Sequence, residues 1–547
     1  MKRLPIVLVV GLLAVVVAIP LAGLAGNAGA PATSPTTSGE PGATPGPTSN
    51  GEGTGGPSPT VPAEATTSPE PPVVLADVAI VPVTQFRTTA TSATAEIVAE
   101  VLAGTNKRYD AVELVDAEAD AILAALGAER PADADRLVLA TDAQTLTKDM
   151  AEHRKRLAFL RVEDVTPGVR ALAWGKVAMF GNGRVRDLAD WPLTATLPAP
   201  DPAAAFDPST TWTMFAGGDI MLDRGVAETL KIKGKGADFP FDGGTVDITG
   251  RCKDCSAFGW DLPYTKRTGG KGVVRRLVEN ADIAIANFEN PAPDRFRYHT
   301  SGTVFSADPK LIRGLATAGI DWVSLANNHI RDAGGNGILQ TIENLDDHGI
   351  ASGGAGKDLA AAREPSILEA NGTSVAILAY DTIARSYTAN EDRAGSARLT
   401  AKTVKADVKK ARDAGAELVI VFPHWGTEYD PTPFGGQRKL AKAAIDAGAD
   451  IVIGNHAHWA GAMEVYKGKP IWYALGNFIF DQTWSEPTME GITLELTFHG
   501  PTLVQARMRP HLILDKAQPN LLDPAGDGRV VMGQIWQGSD DLDLLPW

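Results

Sequence analysis

At 547 residues the chain exceeds what one hydrophobic core organises, so two folded units with accessory segments are expected. A formal charge of -15 and a pI near 5.1 exclude general nucleic-acid binding, which needs a Lys/Arg excess, and disfavour adsorption to anionic lipid. The two cysteines, Cys252 and Cys255, cannot build a four-cysteine zinc site and fit an oxidising compartment.

Lys2 and Arg3 precede an uncharged stretch, Pro5 to Gly26, about as long as the ~20 residues that span a bilayer. Residues 1–30 therefore read as a single-pass anchor at the cell membrane. The alternative is a signal peptide cleaved near Ala30, at Ala28-Gly29-Ala30, which would release a secreted protein. No cysteine follows, which excludes a lipoprotein anchor, and the leading basic pair places everything beyond residue 30 outside the cytoplasm. Residues 31–73 are Pro, Thr, Ser, Gly and Ala with scattered glutamates and no aromatic side chain. They cannot bury enough surface to fold and read as a disordered, semi-extended tether.

Residues 74–200 alternate strand-like VVLADVAIVPV and RLVLAT with helix-like ATAEIVAEVLAG, DAEADAILAALGA and TLTKDMAEHRKRLAFL. This reads as a small separate α/β domain, a packing or spacer unit in which no residue cluster specifies a ligand. His153, on a polar helix, reads as a solvated surface residue.

After a Pro-rich joint the grammar changes. TWTMFAGGD, ADIAIANFEN, DWVSLANNH, SVAILAYD, ELVIVFPHWG, DIVIGNHAH and PIWYALGNFIF are apolar runs, most of them ending in a polar or glycine-rich turn. Helices are indicated between them by VVRRLVEN, PKLIRGLATAG, GILQTIENLDDHG, TVKADVKKARDAG and QRKLAKAAIDAG, several closing on Gly as a helix C-terminus requires. Residues 211–500 therefore predict a largely parallel sheet covered on both faces, with sites at the carboxyl ends of its strands. Residues 501–547 read as a C-terminal extension.

Five of those strand ends present, in order, Asp219, Glu289, Asn327-Asn328-His329, His424 and His456-Ala457-His458. Carboxylate, amide oxygen and imidazole together suit borderline divalent cations. Cys252 and Cys255 flank a two-residue turn, and outside the cell a local disulfide is the expected state.

The order of those residues resembles the calcineurin-like metallophosphoesterases. The segments GDIMLDR, ANFEN, SLANNHIRDAG, PHWGTEY, GNHAHW and YALGNFIFDQ resemble the CapA, or poly-γ-glutamate capsule synthesis, family. The resemblance covers residues 211 to about 498. It implies an α/β layered sandwich of α-β-β-α type, and a divalent metal centre of one or two Mn, Fe or Zn ions. Asp219, Glu289, Asn328, His424, His456 and His458 would be ligands. It further implies His329 as proton donor or oxyanion-stabilising group, with Asp332 and Arg224 beside it as catalytic candidates. Asp223, Asn327, Glu428, Asn477 and Asp481 are the substrate-binding candidates. The implied partners are an anionic polymer or phosphoester substrate and membrane-bound capsule synthesis proteins. Two departures stand out. Met221 occupies the position where the superfamily has a histidine ligand, and Ala457 replaces the proline usual in the final histidine pair.

Each candidate has an ordinary alternative. Asp219 can cap the following segment, Asn327 can hold a turn, and Glu289 can be a surface turn carboxylate. Arg224 and Glu428 can sit in ion pairs, while Asp332, Asn477 and Asp481 can serve loops or caps. His299 reads as structural or surface. Two functions remain: a metal-dependent phosphoesterase-like hydrolase, and a non-catalytic polymer-binding or assembly subunit on the same fold.

Overall fold

The computed structural model describes residues 73–547. The anchor and tether assigned to residues 1–30 and 31–73 lie outside the described residues, apart from Val73. Among the described residues no helix is long and apolar enough to cross a membrane.

The first unit is a mixed sheet in the order β3-β2-β4-β1-β5, with β6 paired to the N-terminal half of β1. Its strands are β1 (Leu75–Gln85), β2 (Ala111–Val115), β3 (Leu137–Ala140), β4 (Arg156–Arg161), β5 (Val169–Ala171) and β6 (Thr194–Pro198). Helices α1 (Ala95–Leu102), α2 (Ala119–Ala125) and α3 (Ala143–Glu152) pack on it, and Thr94 and Asp142 cap α1 and α3 by accepting from Ile97 N and Thr145 N.

Two further sheets follow. The first, of 8 strands, runs β10-β9-β8-β7-β18-β19-β20, with β17 beside β7. Its strands are β7 (Thr211–Ile220), β8 (Ile283–Phe288), β9 (Trp322–Ser324), β10 (Ala351–Gly353), β17 (Asn477–Ile479), β18 (Glu490–His499), β19 (Thr502–Leu514) and β20 (Gln518–Leu521). The second, of 6 strands, runs β11-β12-β13-β14-β16-β15. It comprises β11 (Ser366–Ala370), β12 (Thr373–Asp381), β13 (Leu418–His424), β14 (Ile451–Ile453), β15 (Met463–Tyr466) and β16 (Lys469–Trp472).

The two-residue period of a strand explains how these sheets stack. In β7, Trp212, Met214 and Ala216 face the same core as Ile283 and Ile285 of β8, Val375 and Ile377 of β12, and Leu418 and Ile420 of β13. Their neighbours Phe215 and Ile220 face away, onto α4 (Val273–Glu279), α5 (Ile312–Thr317) and α6 (Gly334–Asp346). Ala376, Leu378, Val419 and Val421 likewise face α7 (Ala401–Asp413) and α8 (Gly435–Asp446) on the far side of the second sheet. The layers are thus helix, sheet, sheet, helix. Strands buried on both faces must be apolar throughout, which is why they read as continuous runs. Helix α7 starts at a capping box of Thr400 and Thr403 and buries Val404, Val408 and Ala411 at helical spacing.

Three expectations are corrected. The sheets are mixed rather than largely parallel. Strands β7 to β10 and β12, β13, β14 and β16 are parallel, but β18, β19 and β20 extend the first sheet antiparallel, and β11 and β15 edge the second antiparallel. Residues 501–547 are no appendage, because β19 and β20 complete the first sheet and helix α9 (Arg529–Gly538) buries Val531 and Ile535 between the sheets. The 74–200 unit keeps its own core but is not separate. Ala171 N donates to Gln505 Oε1 at 2.9 Å, Gly181 N to Thr497 Oγ1 at 3.0 Å and Asn182 N to Glu495 Oε1 at 3.1 Å.

Candidate metal centre

The carboxyl ends of β7, β8, β9, β13 and β14 fall on one edge of the sandwich, where the parallel register brings their terminal polar residues together. Close backbone approach is a condition of this. A Cβ on Gly218 would stand 1.9 Å from Gly476 O, so only glycine lets β7 lie against the turn before β17 and deliver Asp219. His456 and His458 both take positive φ, 96° and 57°, which projects two imidazoles from one short turn. Such backbone costs about 1–3 kcal/mol per residue and clusters at functional sites.

Asp219, Glu289, His424, His456 and His458 are all at most 4% exposed. His424 Nε2 lies 2.7 Å from Asn328 Oδ1, 3.0 Å from His456 Nδ1 and 3.6 Å from Glu289 Oε1. His458 Nδ1 is 3.5 Å from Asp219 Oδ2, and its Nε2 is 3.9 Å from Glu289 Oε1. Two triads result, Glu289-His424-His456 and Asp219-Glu289-His458, each with its ligand atoms within 4.8 Å of one another, and Glu289 belongs to both. Neither carboxylate oxygen of Glu289 has a hydrogen-bond partner. Burial, then the charges of Asp219 and Glu428, push its carboxyl well above the usual carboxylate range. Burial and the neighbouring imidazoles push His424 well below the usual imidazole range and hold His456 down to about 3. Neutral imidazoles around an unpaired buried carboxylate form a donor set that fits a divalent cation.

The other candidates divide by what they touch. Asp332 Oδ2 is 2.9 Å from His329 Nδ1 and also accepts from Phe305 N, so it orients His329, whose ring lies 4.2 Å from Phe305 and whose Nε2 is 3.9 Å from Glu289 Oε1. Arg224 is not turned to the donors. It pairs with Asp481, donates to Gly302 O and lies over the Phe305 ring. Asp481 is spent on Arg224 and Gly225 N. Asp223 accepts from Arg224 N, Ser306 N and His299 N, and its carboxylate also pairs with the His299 ring, so both residues hold the loop over Phe305. Asn327 and Asn477 are fully buried, with their amides engaged inside the protein. Asn327 donates to Phe288 O and accepts from His329 N, while Asn477 accepts at 2.9 Å from His458 Nδ1 and so fixes that ring. Glu428 is exposed at the rim.

Met221, where a histidine ligand was missing, turns into the apolar core, and its sulfur accepts from Asp223 N. The Asp219 triad keeps three donors without it.

Two features escaped the sequence. Asn287 Nδ2 donates to Asp219 Oδ1 at 2.7 Å and lies 3.2 Å from His424 Nδ1, tying both ligands. It sits two residues before Glu289, on the same strand face, inside the ANFEN segment. Tyr429 stacks on His458 at 6.0 Å, and burial and Glu428 push its hydroxyl up to about 12. Cys252 and Cys255, Cα atoms 5.7 Å apart, are joined by a disulfide beside the tip of the hairpin formed by Val246–Cys252 and Leu262–Arg267.

Residues 213–482 match the family model described as "Bacterial capsule synthesis protein PGA_cap". The chain is 35% identical over 220 residues to the capsule biosynthesis protein CapA of Bacillus anthracis, covering 39% of this chain and 54% of that one. It is 32% identical over 216 residues to the PGA biosynthesis protein CapA of Bacillus subtilis, covering 39% and 57%. The chain thus spans little more than half the length of these relatives. Among solved structures, the calcineurin-like phosphoesterase YfkN of Bacillus subtilis is similar at 14% identity and a TM-score of 0.32, over 60% of this chain and 97% of that one.

Proposed function

Because residues 213–482 match the bacterial capsule synthesis family and the chain is similar to the Bacillus CapA proteins, we propose that this chain serves capsule or envelope polymer synthesis of the poly-γ-glutamate type. It works outside the cytoplasmic membrane, beside membrane-bound capsule synthesis proteins, as a metal-dependent phosphoesterase-like hydrolase. The observation that carries the chemistry is the buried Glu289 carboxylate, unpaired and shared by two ligand triads.

Asp219, Glu289, Asn328, His424, His456 and His458 would hold the divalent ion or ions, which when bound would supply Lewis-acid charge at a phosphoryl centre. Asn287 and Asn477 fix the ligand side chains. His329, held at Nδ1 by Asp332, presents Nε2 beside Glu289 and delivers a proton to the leaving oxygen. Met221 favours a second reading, in which the metal is structural and the chain binds an acidic polymer without turnover.

The test is hydrolysis of a model phosphodiester by the full-length protein before and after chelation, with bound metal measured in parallel. Turnover lost on chelation and restored by Mn, Fe or Zn supports the hydrolase. Bound metal without turnover supports the second reading.

A further inference from the structure

Outside His458 lies a run of five aromatic side chains that no ligand role accounts for. Tyr429, stacked on His458, meets Trp484 at 5.0 Å and Trp459 at 6.4 Å. Each of these meets a ring from one hairpin tip, Phe258 at 5.6 Å from Trp484 and Trp260 at 6.2 Å from Trp459. The neighbours meet edge to face or tilted, at interplanar angles from 58° to 88°.

The tip is built to present these rings rather than to bury them. The Cys252–Cys255 disulfide closes it, Ser256 Oγ accepts from Phe258 N and Trp260 N, and Arg251 clamps Glu486 with two bonds of 2.8 Å. Yet Phe258 is 72% and Trp260 40% exposed. Contiguous apolar surface of this kind, beside a polar site, marks binding.

The charges around it select the occupant. Glu428, Asp430, Asp254 and Asp261 are four exposed carboxylates on the same segments against one exposed cation, Lys253, and Arg251 is already paired, so the balance is acidic. A polyanion is repelled there. A quaternary ammonium needs a desolvated cage for a strong cation–π contact, and Phe258 and Trp260 are open to water. A neutral sugar ring matches both features, its C–H face lying on the aromatic rings and its hydroxyls donating to the carboxylates.

The geometry points to this aromatic wall as a subsite for a neutral saccharide, so that the phosphoester reaching the metal centre carries a sugar ring next to the reacting group. The substrate assignment rests on the hydrolase reading above. The saccharide contact does not require turnover.

The experiment uses the full-length protein on an array of neutral oligosaccharides, with poly-γ-glutamate and phosphocholine as further probes, followed by tryptophan-fluorescence titration of any retained glycan. Bound metal is measured on every sample. The expected result is retention on a neutral glycan, with affinity about tenfold weaker in Phe258→Ala/Trp260→Ala and restored in Trp260→Phe with Phe258 intact. Metal content should match wild type in both variants, which separates failure of the subsite from failure of the metal centre. Retention on no neutral glycan, preference for poly-γ-glutamate or phosphocholine, or unchanged affinity in the double variant would overturn the proposal.

Discussion

Glu289 is buried with both oxygens unpartnered, and its raised pKa couples stability to pH. In the unfolded chain the carboxyl ionises in the ordinary range, while in the metal-free fold it holds its proton to higher pH. Between those values the folded state binds more protons, so stability falls as pH rises. Above the ordinary carboxylate range chelated wild-type protein should therefore lose thermal stability relative to Glu289→Gln as pH rises, the depressed His424 and His456 contributing an opposite trend common to both. Parallel melting curves of the two across pH check this, and identical slopes would mean the carboxylate is not held protonated. His329 offers a kinetic contrast. Its ring touches Asp332 and Phe305 and faces the ligands without joining either triad. His329→Ala should retain metal and lower turnover by about 10²–10⁴-fold, a typical general-acid contribution. Wild-type turnover in that variant would remove the proton-donor role.

At the scale of elements, the joint between the first unit and β18–β19 is a buried polar contact. Glu495 accepts from Asn182 N and pairs with Arg509 at 2.6 Å, with Arg507 at 3.8 Å; its side chain is 5% exposed. Glu495→Ala leaves two arginines without their partner. It should destabilise the fold by about 3 kcal/mol, the lower end for a broken buried pair, because Arg509 remains 30% exposed. Denaturant unfolding of the two proteins measures it, and a change under 1 kcal/mol would show that the joint contributes little. The strands of the sandwich were legible because burial on both faces forces continuous apolar runs, and their polar terminal residues stand out against that background. The antiparallel β18 to β20 were not, since pairing between β7 and β18 spans most of the domain and leaves no local signature. Side-chain direction was equally hidden. Asn327 and Asn477 looked like substrate donors, but the turns point them inward, and the partner that claims Arg224 lies 257 positions away in the chain. Asn287 was masked by its place within an apolar strand.

For the whole molecule, location is a proposal carried by residues 1–30, and it has its own outcome. Full-length protein should fractionate with membranes and keep its N-terminal residue, whereas a soluble form beginning at Pro31 would replace the anchor with a cleaved signal and leave export intact. The central claim is that one edge of the sandwich gathers six ligands from five strand ends to hold a divalent cation. Metal analysis of the purified protein beside His456→Ala/His458→Ala tests it most directly, because neutral imidazoles supply much of the affinity of a site without thiolates. The account predicts bound Mn, Fe or Zn in the wild type and loss of most of it in the double variant. Equal metal content in the two proteins would contradict it.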